Sequence, residues 1–281
     1  MSKPSWPGPL ENRLYNLLKK LLFGAVRIYA PQMAFNVRRD DAQDDALFAR
    51  ILGEMFANLD SSAPQIKRIL NEANLLGRQQ FGNLFRAEFG TQAFFNEPWV
   101  NGLLNDRSDE LIRKLKVSAQ EWASRQRELH IEYRKKAGRK GWKLKDVTEK
   151  SRKIDATLQG RIAFHTRNTM GNFLADAAVK RAEDFNVEEY EWSTRKDNRV
   201  RGKPGGLYPN AKYSHYHREG LVFRYDDPPP DGNPGEPDGC RCQGIPKFPD
   251  YGRNPKRIPA WLAFALGALA GSANELSKGA K

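Results

Sequence analysis

The side chains best suited to chemistry gather in one stretch, Trp192 to Cys242. It carries two of the four histidines, His215 and His217, and both cysteines of the chain, Cys240 and Cys242. Four nitrogen and sulfur donors of these types match the ligand set of a tetrahedral Zn²⁺ site. If both pairs are extended, the two-residue period of a strand turns each pair toward one face. The one-residue spacings are tighter than is usual for zinc, so the same residues also read as a surface loop with incidental histidines and two reduced thiols. A second set, Asp197, Arg199 and Arg201 with His217, offers an acid, two guanidinium groups and an imidazole. These are groups that can cut a phosphodiester or stabilise charge in another transfer reaction. Plain Asp–Arg ties across a loop use the same residues. The chain lacks both the close carboxylate pair of a two-metal nuclease and a phosphate-cradling P-loop. A third set, the acidic proline turn from Asp226 to Pro230, reads as a loop stiffener.

A structureless loop of this length is rare inside a compact domain unless it is functional. Trp192 and the run Leu221 to Tyr225 favour β-structure, so the stretch is predicted as loops held by short strands over Val187–Ser193 and Gly220–Tyr225. The elements that must position them are helical. Leu10, Leu14, Leu17, Leu18, Leu21, Leu22 and Ala25 recur at helical spacing, and Pro31 marks the stop. Asp40, Asp41, Asp44 and Asp45 crowd the start of a second helix, whose stripe is Leu47, Phe48, Ile51, Leu52, Met55 and Leu59. Ser62 with Gln65 is read as a capping box opening a third helix, closed by Gly77. The aromatic residues between Phe81 and Trp99 are expected to form a core or interface cluster. A long helix follows over Asp106 to Ala137, then a capped start near Asp146 and Glu149, and a further helix from Thr157 to Phe185. His130 and His165 fall on these helices and are read as packed rather than ligating.

The chain has 281 residues, with 47 Lys plus Arg against 34 Asp plus Glu, a formal net charge of +13. Such an excess favours a polyanionic neighbour, either nucleic acid or an acidic protein surface. The densest basic segment surrounds the turn after the long helix, with Arg134, Lys135, Lys136, Arg139, Lys140, Lys143 and Lys145, beside Trp142. It reads equally as a solvated helix end and as a contact for DNA phosphates. Two cysteines do not make a secreted disulfide framework, and no signal peptide is recognised at the start. The longest apolar run, Ala260 to Ala270, reaches about half of the roughly 20 residues that span a bilayer. An intracellular or particle-enclosed protein is expected, with no membrane partner. The fold class is expected to be α+β: a long helical N-terminal region, a small helix-backed β-sheet domain with long loops, and a C-terminal apolar arm.

The ordered combination of Arg161 to Thr166 in a helix, then Trp192, then D-x-R-V-R from Asp197 to Arg201, then His217, Gly220 and Phe223, then C-R-C at Cys240–Cys242, resembles the phage Mu F-like domain of minor head proteins. The resemblance covers about Asp106 to Gln243. This chain departs from the family pattern at Thr166-Arg167-Asn168, where a Thr-Glu pair is common, and at Glu236-Pro237-Asp238-Gly239, which replaces a His-Pro-Asn or Pro-x-Asn segment. The resemblance implies division into a helical docking region over 1–105, the Mu F-like domain over 106–243 and a tail over 244–281. It implies a minor structural protein of a tailed-phage head, within the virion and in the host cytoplasm during assembly. The expected partners are the portal protein or major capsid protein and double-stranded DNA bound without sequence preference. The apolar helices at Leu10–Tyr29 and Ile258–Leu276 are expected to dock on head proteins. The alternative is a metal-dependent nuclease or toxin-like enzyme using Asp197, Arg199 and His217. No enzyme and no cofactor other than zinc are expected.

Overall fold

The computed structural model describes residues 6–36, 38–137, 139 and 143–250. Five helices lead the described residues: α1 (Gly8–Tyr29), α2 (Asp41–Ser61), α3 (Ala63–Phe89), α4 (Val100–Lys136) and α5 (Leu144–Asp184). Three short strands follow: β1 (Glu189–Ser193), β2 (Val222–Arg224) and β3 (Gln243–Lys247). The fold is α+β with a helical N-terminal region, as the pattern of the sequence predicts. No helix among the described residues is long and apolar enough to cross a membrane. The described residues form two units, each discontinuous in sequence. One comprises residues 7–72 and 104–170; the other comprises residue 6, 73–103 and 171–250. Their limits fall before α1 and inside α3, α4 and α5.

The first unit is a helical bundle. Asp40 caps α2 through a complete capping box, its carboxylate accepting from the Gln43 backbone N–H and its own N–H donating to the Gln43 side chain. Leu14, Leu18, Leu22 and Ala25 of α1 are fully buried, as are Ile51, Met55 and Leu59 of α2. Each such leucine stabilises the unit by roughly 1.5–3 kcal/mol. Part of the α1 stripe is thus core, while Leu10, Leu17 and Leu21 are half-buried and Ile28 is exposed. Polar ties sit between the helices: the Trp122 indole donates to Asp155 at 2.8 Å, and Gln126 donates to the same carboxylate at 3.0 Å. Ser118 and His165 are paired at 3.3 Å. The expected start near Asp146 and the expected helix from Thr157 are one continuous helix of 41 residues. Ser62 does not cap α3 with its hydroxyl, which donates back to the Leu59 carbonyl at 2.7 Å.

The second unit holds the sheet, in the order β2-β1-β3, with both pairings antiparallel. An aromatic cluster of Phe81, Phe85 and Phe185, with Phe89, Phe95, Tyr225 and Phe248 around it, joins the end of α3 to the end of α5 and the sheet. This is the core role expected of the aromatic residues after Phe81. Phe94 stays 64% exposed and outside it. Gly77 does not end α3, which continues to Phe89 and stops where Gly90 takes φ +70°. Gly77 instead admits the Arg181 guanidinium, whose Nη1 would lie 3.0 Å from a Cβ added there. Arg181 is buried and donates to Glu97 at 2.6 Å and to the Asn74 carbonyl at 3.2 Å. The segment Ile258–Leu276, expected as an apolar arm, lies outside the described residues.

Candidate metal centre

Three of the donor side chains meet inside the second unit. Nδ1 of His215 lies 3.5 Å from the Cys240 sulfur and 3.5 Å from the Cys242 sulfur, and all three residues are buried. All three ligand atoms fall within 4.8 Å of one another. The local sequence explains how they arrive there. β3 begins directly after Cys242, and its pairing with β1, Ser193 opposite Gln243, pins the C-R-C segment beside Trp192. Gly171 of α5 and Gly235 of the loop meet backbone to backbone. A Cβ at Gly171 would stand 2.8 Å from the Gly235 carbonyl and 3.2 Å from that of Cys240. Gly235 has φ +102°, a conformation in which a side chain is strained. His215 immediately precedes a 3₁₀ turn at Tyr216–Arg218, and its ring packs edge-on against Trp192 with centroids 5.1 Å apart.

The surrounding groups orient the donors. Nε2 of His215 is 3.0 Å from Asp231 Oδ2, and Arg218 pairs with the other oxygen of Asp231 at 2.6 Å. With the carboxylate accepting from Nε2–H, the Nδ1 lone pair is left facing the sulfurs. Burial raises the pKa of Asp231, but His215 and the Arg218 guanidinium beside it outweigh this and hold the carboxyl below its usual range. The Cys240 sulfur accepts from the backbone N–H of Gly235 and of Cys242, both at 3.4 Å. Burial pushes the Cys240 thiol up, yet its hydrogen bonds with Cys242 and His215 bring it well below the ordinary thiol value. Cys242 is pushed up, first by its hydrogen bond to Cys240 and then by burial, while the nearby Trp192 indole works in the opposite sense.

The remaining residues singled out by the sequence take other places. His217 is exposed and outside the cluster, which corrects the four-donor set; a 3₁₀ turn advances about 120° per residue, so His215 and His217 point apart. Asp197 accepts from Arg241 of the C-R-C segment at 2.6 Å and from the Arg199 backbone N–H at 2.9 Å. Arg201 donates to the Asp238 carbonyl at 2.5 Å. Arg199 is exposed. The residues of the enzyme alternative are therefore not gathered around one point by these contacts: Asp197 and Arg201 tie loops together. Gly220 (φ +79°) turns the chain so that its N–H reaches the Trp192 carbonyl at 2.8 Å. Sequence reasoning missed Asp231, Arg218 and Arg241; of these only Arg241, held between the two cysteines, carried a positional signal. In the basic segment, Lys135, Arg139, Lys143 and Lys145 are exposed, Arg134 is engaged by Asp41 and Asp44, and Lys136 pairs with Glu132 at 2.8 Å. Lys140 and Trp142 lie outside the described residues.

No family model matches the chain, and no solved structure matches it. Among curated proteins, it is similar to an uncharacterized protein of Haemophilus influenzae, strain Rd, with 30% identity over 103 residues. The match covers 36% of this chain and 21% of that relative's length.

Proposed function

We propose that this chain is a minor structural protein of a tailed-phage head, without enzymatic activity, which docks on the portal or the inner capsid. In that role it contacts packaged DNA electrostatically and assists head assembly and DNA delivery. The observation that carries the reading is a convergence. Of the ordered motif chosen from the sequence, Trp192, Asp197, Gly220, Cys240 and Cys242 are tied together through Trp192 to Gly220, Asp197 to Arg241 and the buried thiols, and Arg201 ties to the Asp238 carbonyl, while Arg199 and His217 are exposed. Motif residues tied in one knot support a single folded module, and the net charge of +13 supports a polyanionic neighbour.

The test is co-expression of the full chain with the portal and major capsid proteins of the same phage genome, followed by sedimentation of the particles. The chain is expected in the particle fraction at low copy number, and particles made without it are expected to be fewer or empty. Recovery only in the supernatant overturns the reading. So does metal-dependent cleavage of plasmid DNA by the purified protein that is lost in His217→Ala, which would install the enzyme alternative.

A further inference from the structure

We infer that His215, Cys240 and Cys242 form a binding site for a zinc ion that closes the loop between β1 and β3. The spacing of the donors carries this. A tetrahedral ion with Zn–S near 2.3 Å and Zn–N near 2.0–2.1 Å sets its nitrogen and sulfur ligands about 3.6 Å apart. Both nitrogen-to-sulfur distances here are 3.5 Å. One ring nitrogen equidistant from two sulfurs is poorly explained by a hydrogen bond, since Nδ1 has a single lone pair or a single proton to share. A cation at the common focus of the three donors uses all of them.

The groups behind the donors fit the same ion. Asp231 holds the far nitrogen of His215 at 3.0 Å, the carboxylate–histidine arrangement that fixes a metal-binding ring. Backbone N–H groups of Gly235 and Cys242 point at the Cys240 sulfur, which spreads the charge of a bound thiolate. Two thiolates and a neutral imidazole select a borderline-soft ion over Mg²⁺ or Ca²⁺, which prefer oxygen. A zinc ion with three protein ligands carries water at its remaining position, so no further donor is required. The residues between β1 and β3 contribute only one three-residue strand to the sheet, and the ion ties His215, midway along that connection, to Cys240–Cys242 at its end.

The full chain, expressed in zinc-supplemented medium and purified under reducing conditions, is expected to retain about one zinc ion per molecule. Replacement by Co²⁺ is expected to give the intense visible bands of a tetrahedral site with a thiolate charge-transfer band. His215→Ala and Cys240→Ser should abolish both signals, whereas His217→Ala, which alters the exposed neighbour, should change neither. Asp231→Asn should weaken zinc binding by about 10- to 100-fold. Circular dichroism identifies any variant that fails to fold. The Co²⁺ titration and chelator treatment of the unaltered protein then decide alone, with chelator expected to lower the melting temperature. Absence of zinc together with absence of Co²⁺ bands in the unaltered protein overturns the site. Loss of zinc in His217→Ala with retention in His215→Ala overturns the donor assignment.

Discussion

His130 and His215 are both buried histidines beside a carboxylate, yet their neighbours use them differently. His215 has Asp231 within hydrogen-bond distance and its other nitrogen on the sulfurs. His130 faces Asp44 at 3.8 Å, but Arg39 and Arg134 already occupy that carboxylate, and Phe35 and Phe48 flank the ring. Burial lowers the pKa of His130 to about 4, with the attraction of Asp44 only partly opposing it. Between pH 6.5 and about 4 the unfolded chain binds a proton that the folded chain refuses, so stability is full above this window and falls as the pH drops through it. The loss from this one group is of order 3 kcal/mol at most. Thermal melts from pH 7 to pH 4.5 should show the decline, and His130→Leu should flatten it; equal slopes in the two proteins would mean that another group governs the acid limb. At this scale the cysteine pair was legible, because both thiols sit in C-R-C. The choice between two histidines was not, because it depends on whether the chain there is a strand or a 3₁₀ turn. Nothing in the tripeptide Tyr216–Arg218 declares the turn.

Among elements, the glycines of α5 separate local preference from tertiary demand. Gly160 has nothing within 4 Å of an added Cβ, so Gly160→Ala should gain the helix preference of alanine, up to about 1 kcal/mol. Gly171 sits in the same helix, but its Cβ would meet the Gly235 carbonyl at 2.8 Å. Overpacking of this kind costs about 1–3 kcal/mol, enough to cancel or exceed the propensity gain. Urea midpoints should therefore rise for Gly160→Ala and not for Gly171→Ala, and the latter should also hold zinc less tightly. An equal rise in both would show that the loop gives way at no cost. Helices α1, α2 and α4 were legible because their apolar stripes agree with their burial, and α2 also because Asp40 caps it; α4 opens at Val100, ahead of the expected Asp106, so Asp109 and Glu110 fall outside its first turn. Gly77 misled as a stop because it is a seat for Arg181. β3 went unread because Gln243–Lys247 contains Gly and Pro and has no alternation. It exists because it pairs with β1 at the sheet edge, where proline is tolerated.

At the scale of the whole molecule, charge has to be divided between what folds the chain and what it offers to a partner. Arg134 belongs to the first kind: its guanidinium is engaged by Asp41 and the buried Asp44. Removing one partner from such a network leaves a carboxylate short of its hydrogen bonds, and Arg134→Met should lower the melting temperature without weakening DNA binding specifically. Lys135, Arg139, Lys143 and Lys145 belong to the second kind, exposed around the turn between α4 and α5. If they touch phosphates, each contact contributes about 0.9 to the slope of log affinity against log salt concentration. Charge reversal at these four positions should weaken binding to unrelated duplexes alike and reduce that slope by several times this amount. Fluorescence anisotropy with two duplexes of different sequence, across a salt series, measures both quantities. An unchanged slope would move the DNA contact away from this turn. A slope reduced for one duplex alone would replace phosphate contact with recognition of base sequence, which a cluster of flexible lysines is poorly built to provide.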